Sequence, residues 1–183
     1  MRKITLSMVM SLDGFVAGED GDCSWHVMDE EMHDFMDRFL DTVDTLLYGR
    51  IAYEKMLQYW PSAEFDQTST EKNRLFARKM NNMNKVVFSR TLEKAEWNAR
   101  VVKGNVPLEA EKLKLQPGKN IALFAGANIA QIFMKHDLID EYRLIVNPVC
   151  IGKGQRLFNN TTKKLTLVES KVFQCGNVLL VYR

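Results

Sequence analysis

The stretch Val43 to Trp60, VDTLLYGRIAYEKMLQYW, holds a short apolar run, Thr45 to Tyr48, that stops at Gly49-Arg50 and gives way at once to an amphipathic segment. The run reads as a strand. Ala52, Met56, Leu57 and Trp60 then recur at the spacing of one helix face, and Pro61 is predicted to end that helix. A strand that turns into a helix at glycine gathers unpaired backbone N–H groups and the positive end of the helix dipole in one place, which suits a phosphate. Gly49 is also expected to occupy a tight turn with positive φ, and the turn and phosphate roles are compatible.

The same grammar recurs in Asn120 to Lys135, NIALFAGANIAQIFMK, where an apolar run meets Ala125-Gly126-Ala127 and a helical pattern follows; Gly126 carries the same two expectations as Gly49. Between these junctions lies Lys85 to Arg90, KVVFSR, a buried-type strand ending in a hydroxyl and a guanidinium. Two anion-ready junctions and a basic strand end form a footprint for a phosphorylated dinucleotide.

Further out, Ile4 to Met10 reads as a strand, followed by a loop rich in Gly and Asp from Asp13 to Ser24, in which Asp13-Gly14 reads as a turn. Met32, Phe35, Met36, Phe39, Leu40 and Val43 recur at three- and four-residue steps, one apolar face of a helix, with Asp29, Glu30 and Glu31 at the start where negative charge is favoured. Thr70 to Met80 and Val106 to Leu115 are expected as helices and Glu141 to Pro148 as a strand. Leu165 to Val168 and Val178 to Val181 flank Gln174 to Asn177 and favour an antiparallel hairpin. Strands alternating with helices and closed by that hairpin predict a single α/β domain over residues 1–183, three layers around a mostly parallel sheet.

A chain of 183 residues can bury about 70% of the surface its unfolded form exposes. With 46% hydrophobic and 26% charged residues the composition excludes disorder and a coiled coil, and a net charge of +2 gives no reason to invoke nucleic acid or an anionic membrane. No segment reads as a signal peptide or membrane span, so a cytoplasmic location is expected. Cys23, Cys150 and Cys175 are scattered and read as reduced thiols, and with His26, His33 and His136 they show no ligand spacing, so no metal site is expected. Gly152-Lys153-Gly154 lacks the third glycine of a dinucleotide-binding fingerprint and precedes no clear helix.

The order Ser11-Leu12-Asp13-Gly14-Phe15-Val16-Ala17, Leu46-Leu47-Tyr48-Gly49-Arg50-x-x-Tyr53-Glu54, Val86-Val87-Phe88-Ser89-Arg90, Ala125-Gly126-Ala127-Asn128 and Asn147-Pro148-x-x-Ile151-Gly152-x-Gly154-x-x-Leu157-Phe158 resembles the dihydrofolate-reductase-like superfamily. The resemblance is closest to stand-alone relatives of the reductase domain of bifunctional riboflavin-biosynthesis proteins. It implies an NADPH-dependent reductase acting on a small planar heterocycle, pterin-like or like 5-amino-6-ribosylaminouracil. It further implies that Gly49 and Arg50 meet the phosphates of NADPH, Gly126, Ala127 and Asn128 its pyrophosphate, and Ser89 and Arg90 the 2′-phosphate, with Val9 and Val16 near the nicotinamide. Riboflavin-type reductases serve their substrate's ribose phosphate with a Thr-Ser and arginine-rich stretch; here Val27 to Asp34 stands in that place, and its acidic groups would repel a phosphate. The zinc signature of a fused deaminase is absent from the sequence.

Asp29, Glu30 and Glu31 are all candidates for the carboxylate that related enzymes carry in the first helix, although acidic residues in a first helical turn also serve as caps, and His26 is a candidate proton donor. Trp25, Met32 and Phe35 are candidates to wall a ring pocket, while the Met and Phe residues of this helix equally read as core. A non-catalytic nucleotide- or pterin-binding module on the same fold is the alternative reading, because no proton donor stands out. The apolar stretch Leu144 to Phe158 and the terminal hairpin suggest edges covered by a second copy, hence a homodimer.

Overall fold

The computed structural model describes residues 1–124, 126–159 and 161–183. In chain order its elements are β1 (Ile4–Ser11), β2 (Phe15–Ala17), α1 (Glu30–Leu40), β3 (Val43–Gly49), α2 (Arg50–Ala63), α3 (Glu71–Asn82), β4 (Asn84–Phe88), β5 (Ala99–Val102), α4 (Val106–Leu115), β6 (Asn120–Leu123), α5 (Ala127–Lys135), β7 (Glu141–Asn147), β8 (Gln155–Arg156), β9 (Leu167–Val172) and β10 (Val178–Tyr182). An eight-stranded sheet has the order β5-β4-β3-β6-β1-β7-β10-β9. Neighbours from β5 through β7 run parallel, and β10 is antiparallel to both β7 and β9.

Side-chain alternation along each strand feeds two cores. Leu46 and Tyr48 of β3 point to the face where Phe39, Leu40, Phe76 and Met80 of α1 and α3 pack, whereas Leu47 joins Val86, Ile121, Leu123 and, from α4 and α5, Leu113, Ala130 and Phe133. The result is the expected three-layer arrangement, α1 to α3 on one face and α4 and α5 on the other. Strands β3 and β6 are neighbours, yet the helices that follow them depart to opposite faces. Such a divergence opens a crevice at the carboxyl ends of the two strands.

At that crevice the expectation of positive φ fails for both glycines: Gly49 has φ −83° and ψ 163°, and Gly126 has φ −72° and ψ 164°. Space, not backbone handedness, explains Gly49, where a Cβ would stand 2.9 Å from Ile129 Cγ1 on α5. Left-handed backbone is needed instead at Gly154, φ 141°, where a Cβ would also come within 2.1 Å of the Ala17 carbonyl. The Gly152-Lys153-Gly154 segment thus serves to seat the β7–β8 loop on β2. Asp13 completes this seat. Its carboxylate accepts the Ser11 hydroxyl at 2.6 Å and the N–H groups of Gly152 and Ile151 at 2.8 and 3.2 Å, which holds its pKa below the usual carboxylate range.

The ends of α2 and β9 depart from the sequence expectation for physical reasons. Pro61 lies inside α2, which continues to Ala63; so close to the helix end, the missing N–H removes a single intrahelical bond. Strand β9 begins and ends later than Leu165–Val168, because pairing with β10 rather than apolar content sets its extent and it carries Glu169, Ser170 and Lys171 on a sheet edge. No helix among the described residues is long and apolar enough to cross a membrane.

Candidate functional site

The crevice widens into a cleft of about 1180 Å³ whose lining includes Gly49, Arg50, Ser89, Arg90, Gly126, Ala127 and Asn128. Helices α2 and α5 both begin at it, each with an extended glycine as the residue before the first turn and no side chain capping the free N–H groups. The two amino termini face each other closely: a Cβ on Gly126 would lie 3.9 Å from Ala52 Cβ of α2, with nothing else among the described residues within 4 Å. Ala125, part of the same motif, lies outside the described residues.

The Ser89 hydroxyl oxygen accepts the N–H groups of Thr91 and Leu92 at 3.2 and 3.0 Å, which fixes the turn after β4 and leaves the hydroxyl proton as a donor. Arg90 is exposed beside it. Arg50 is held along α2 by Glu54 at 2.9 Å, and this exposed pair adds little stability but sets where the guanidinium lies. The observed arrangement therefore joins three kinds of anion donor in one groove: two helix termini, a strand-end hydroxyl and two guanidinium groups.

Val9 and Val16 also line the cleft, as do His26, Asp29 and Glu30. Asp29 is the N-cap of α1. One oxygen accepts Met32 N–H at 2.8 Å and the other Cys175 N–H at 2.8 Å, and these bonds hold its pKa below the ordinary value. Glu30 is paired with Lys72 at 2.9 Å, and Lys72 also meets Asp34 at 2.5 Å. His26 stacks edge-on against Trp25 with centroids 4.2 Å apart; burial pushes its pKa down, opposed by the Asp22 carboxylate.

The residues expected to wall a ring pocket lie elsewhere. Met32 is buried against Ile145, Phe173, Leu179 and Val181, and Phe35 packs edge-on against Phe173 with centroids 5.5 Å apart, so both belong to the core under the hairpin. Trp25 donates to the Asp22 carbonyl at 3.2 Å and is not among the lining residues. In their place the helical walls of the cleft are Met36, Met56, Trp60, Phe76 and Met80, with His33 tilted on Phe76 at 5.0 Å.

Two buried asparagines were not anticipated. Asn147 accepts Val27 N–H at 2.9 Å, and Asn177 donates to the Val27 carbonyl at 2.7 Å and to Met32 Sδ at 3.0 Å. Together they fix the chain just ahead of α1. Asn147 stands in an Asn-Pro step and Asn177 in a turn motif, and neither pattern carries a signal of burial. No group of three or more His, Cys, Asp or Glu among the described residues is placed to hold a metal ion.

Comparison with known proteins agrees with this geometry. The family model described as the RibD C-terminal domain matches residues 2–181. The chain is 37% identical to the uncharacterized protein YyaP of Bacillus subtilis (strain 168) over 183 residues, covering 99% of this chain and 94% of that one. Among solved structures, a Shewanella sp. PV-4 protein assigned provisionally to riboflavin biosynthesis superposes with TM-score 0.73 at 23% identity, covering 100% of this chain and 98% of that one. A Thermotoga maritima diaminohydroxyphosphoribosylaminopyrimidine deaminase/5-amino-6-(5-phosphoribosylamino)uracil reductase superposes with TM-score 0.68 at 16% identity, covering 100% of this chain and 56% of that one. At these identities the two structures establish a shared fold.

Proposed function

Because the chain belongs to the RibD C-terminal domain family, we propose that it is an NADPH-dependent reductase of a small planar heterocycle, pterin-like or like 5-amino-6-ribosylaminouracil. The observation that carries this reading is the convergence of Gly49-Arg50, Ser89-Arg90 and Gly126-Ala127-Asn128 on one crevice. Open space over Gly126 admits a phosphate against the backbone, and uncapped N–H groups at both helix starts are ready donors. In this assignment Gly49, Arg50, Gly126, Ala127 and Asn128 hold the diphosphate, Ser89 and Arg90 take the 2′-phosphate, and Val9 and Val16 lie by the nicotinamide. NADPH supplies a hydride when bound.

The chain supplies alignment and a dry wall. Asp29, with both oxygens engaged, acts as a positioning residue that anchors α1 to the hairpin turn, while His26 and Glu30 are assigned as proton carriers from among the titratable groups that line the cleft. Titration with NADPH and NADH, followed by loss of NADPH absorbance across a panel of pterins and aminopyrimidines, tests the reading. Much tighter binding of NADPH and turnover of at least one ring are expected, and equal, negligible affinity for both coenzymes refutes it. One observation favours the alternative of a non-catalytic binding module: the first-helix carboxylates are committed to a cap and to Lys72. Binding without turnover across the whole panel would select it.

A homodimer belongs to the same proposal. Edge strand β9 exposes Leu167, Val168 and Val172 at 51%, 49% and 71%, apolar surface suited to a second copy across a two-fold axis.

A further inference from the structure

The helical half of the cleft differs in chemistry from the strand-end half. Its walls are Met36 of α1, Met56 and Trp60 of α2, and Phe76 and Met80 of α3, an apolar slot built from flexible thioethers and aromatic rings. His33 lines it and is the imidazole that meets its wall at Phe76.

Charge around this slot is acidic. Asp29, Glu30 and Asp34 stand on or beside the first turns of α1, against one lysine of α3, and that lysine is already shared by Glu30 at 2.9 Å and Asp34 at 2.5 Å. The amino terminus of α3 opens to the same space, but the Thr70 hydroxyl already accepts Asn73 N–H there at 3.2 Å. Lys55, the remaining cation between the slot and the loop after β2, donates to the Gly21 carbonyl. Arg50 and Arg90 stand at the strand-end crevice. A phosphate carried by the occupant of the slot would meet Glu30, with Asp34 behind Lys72, and no uncommitted cation on these helices among the described residues.

Resting on the reductase reading of the strand-end half, we infer that the slot takes a flat heterocycle without a phosphate group. The ring lies between the methionine and aromatic walls, and His33 provides the hydrogen-bonding group that orients it. A ribose or other neutral substituent is compatible with these walls; a phosphorylated one is rejected by Glu30 and Asp34.

The test is equilibrium dialysis on the NADPH-loaded protein with two probes, 5-amino-6-(5-phosphoribosylamino)uracil and its dephosphorylated form, with the NADPH affinity titrated on the same sample. The dephosphorylated compound is expected to bind about tenfold or more tightly than the phosphorylated one. Glu30→Gln with Asp34→Asn releases Lys72 and should narrow that gap, whereas His33→Phe should weaken both probes alike. Equal affinity, or preference for the phosphorylated compound, overturns the inference. Binding of neither compound with normal NADPH affinity also overturns it while leaving the cofactor reading intact. Loss of NADPH binding in the unmodified protein takes down that reading and the inference with it.

Discussion

Substitution of Gly126 by alanine separates a cofactor role from a structural one. The backbone at Gly126 is extended, φ −72° and ψ 164°, a conformation open to alanine, and the added Cβ would touch only Ala52 Cβ at 3.9 Å, an ordinary contact. Alanine is a poorer residue than glycine ahead of a helix by several tenths of a kcal/mol, but it also restricts the unfolded chain by about 0.4–1 kcal/mol. These terms nearly cancel, so the stability of Gly126→Ala should lie within about 0.5 kcal/mol of the parent. A phosphate seated on the α5 amino terminus would instead be pushed away by the methyl group. Loss of one charge-assisted hydrogen bond weakens binding by about 2 kcal/mol, roughly thirtyfold in Kd. Urea melts and NADPH fluorescence titration on the same protein read the two quantities separately. Gly49→Ala is the contrasting case: its Cβ would stand 2.9 Å from Ile129 Cγ1, so packing and binding should fall together. Unchanged NADPH affinity in a normally stable Gly126→Ala would refute the assignment of the α5 terminus to the diphosphate.

Arg90→Ala should weaken NADPH about tenfold to a hundredfold and leave NADH nearly unchanged, as titration with each coenzyme will show. Burial lowers the pKa of Lys85 to about 8, although its ammonium donates to the Asn81 and Met83 carbonyls and lies over Trp97. The unfolded chain, with an ordinary value of 10.5, therefore binds more protons between these two values, and stability must rise with pH across that window, by up to about 3 kcal/mol. Lys85→Met should abolish that rise in urea melts at pH values spanning the window. Asn177→Ala removes the bonds to Val27 and Met32 and should cost about 2–3 kcal/mol in the same assay. Val172→Lys on the exposed edge of β9 should shift sedimentation from dimer toward monomer, and an unchanged sedimentation coefficient would remove β9 from the interface.

Much of the fold was legible because its signals are local. Val106–Leu115 was read from the sequence with the bounds it has, since Asn105 caps its first turn and Pro117-Gly118 follows its end. The hairpin was also foreseen, but β9 was displaced from the expected run because an edge strand needs no apolar alternation to be held by backbone bonds. Pro61 failed as a stop signal for a related reason: a proline near the carboxyl end removes one bond from a helix whose remaining turns are packed on the sheet.

The two halves of the site differ in legibility for a physical reason. The strand-end half is made of backbone: a strand, a glycine and a helix start, consecutive in sequence, so Gly49, Ser89 and Gly126 could each be found from a few neighbours, and sheet order alone then brings them together. The slot is made of side chains from three helices, and residue type does not tell its walls from core. Met32 and Met36 show this most clearly. They lie four residues apart on one apolar stripe of α1 and both meet the cluster of Phe173, Leu179 and Val181 from the distant hairpin, yet Met32 is fully buried in it while the partly buried Met36 also reaches the cleft. That outcome depends on which strand ends up beneath each turn of the helix, a long-range fact that helical periodicity does not carry. For the same reason the anchoring bond of Asp29 is hidden in the sequence: the Cys175 N–H that engages its second oxygen comes from the hairpin turn, 146 residues away. Substituting Asp29 should therefore loosen α1 and the hairpin together, so that lowered stability accompanies any lost activity, whereas Met36→Ala keeps the Asp29 bond to Cys175 and should weaken ring binding.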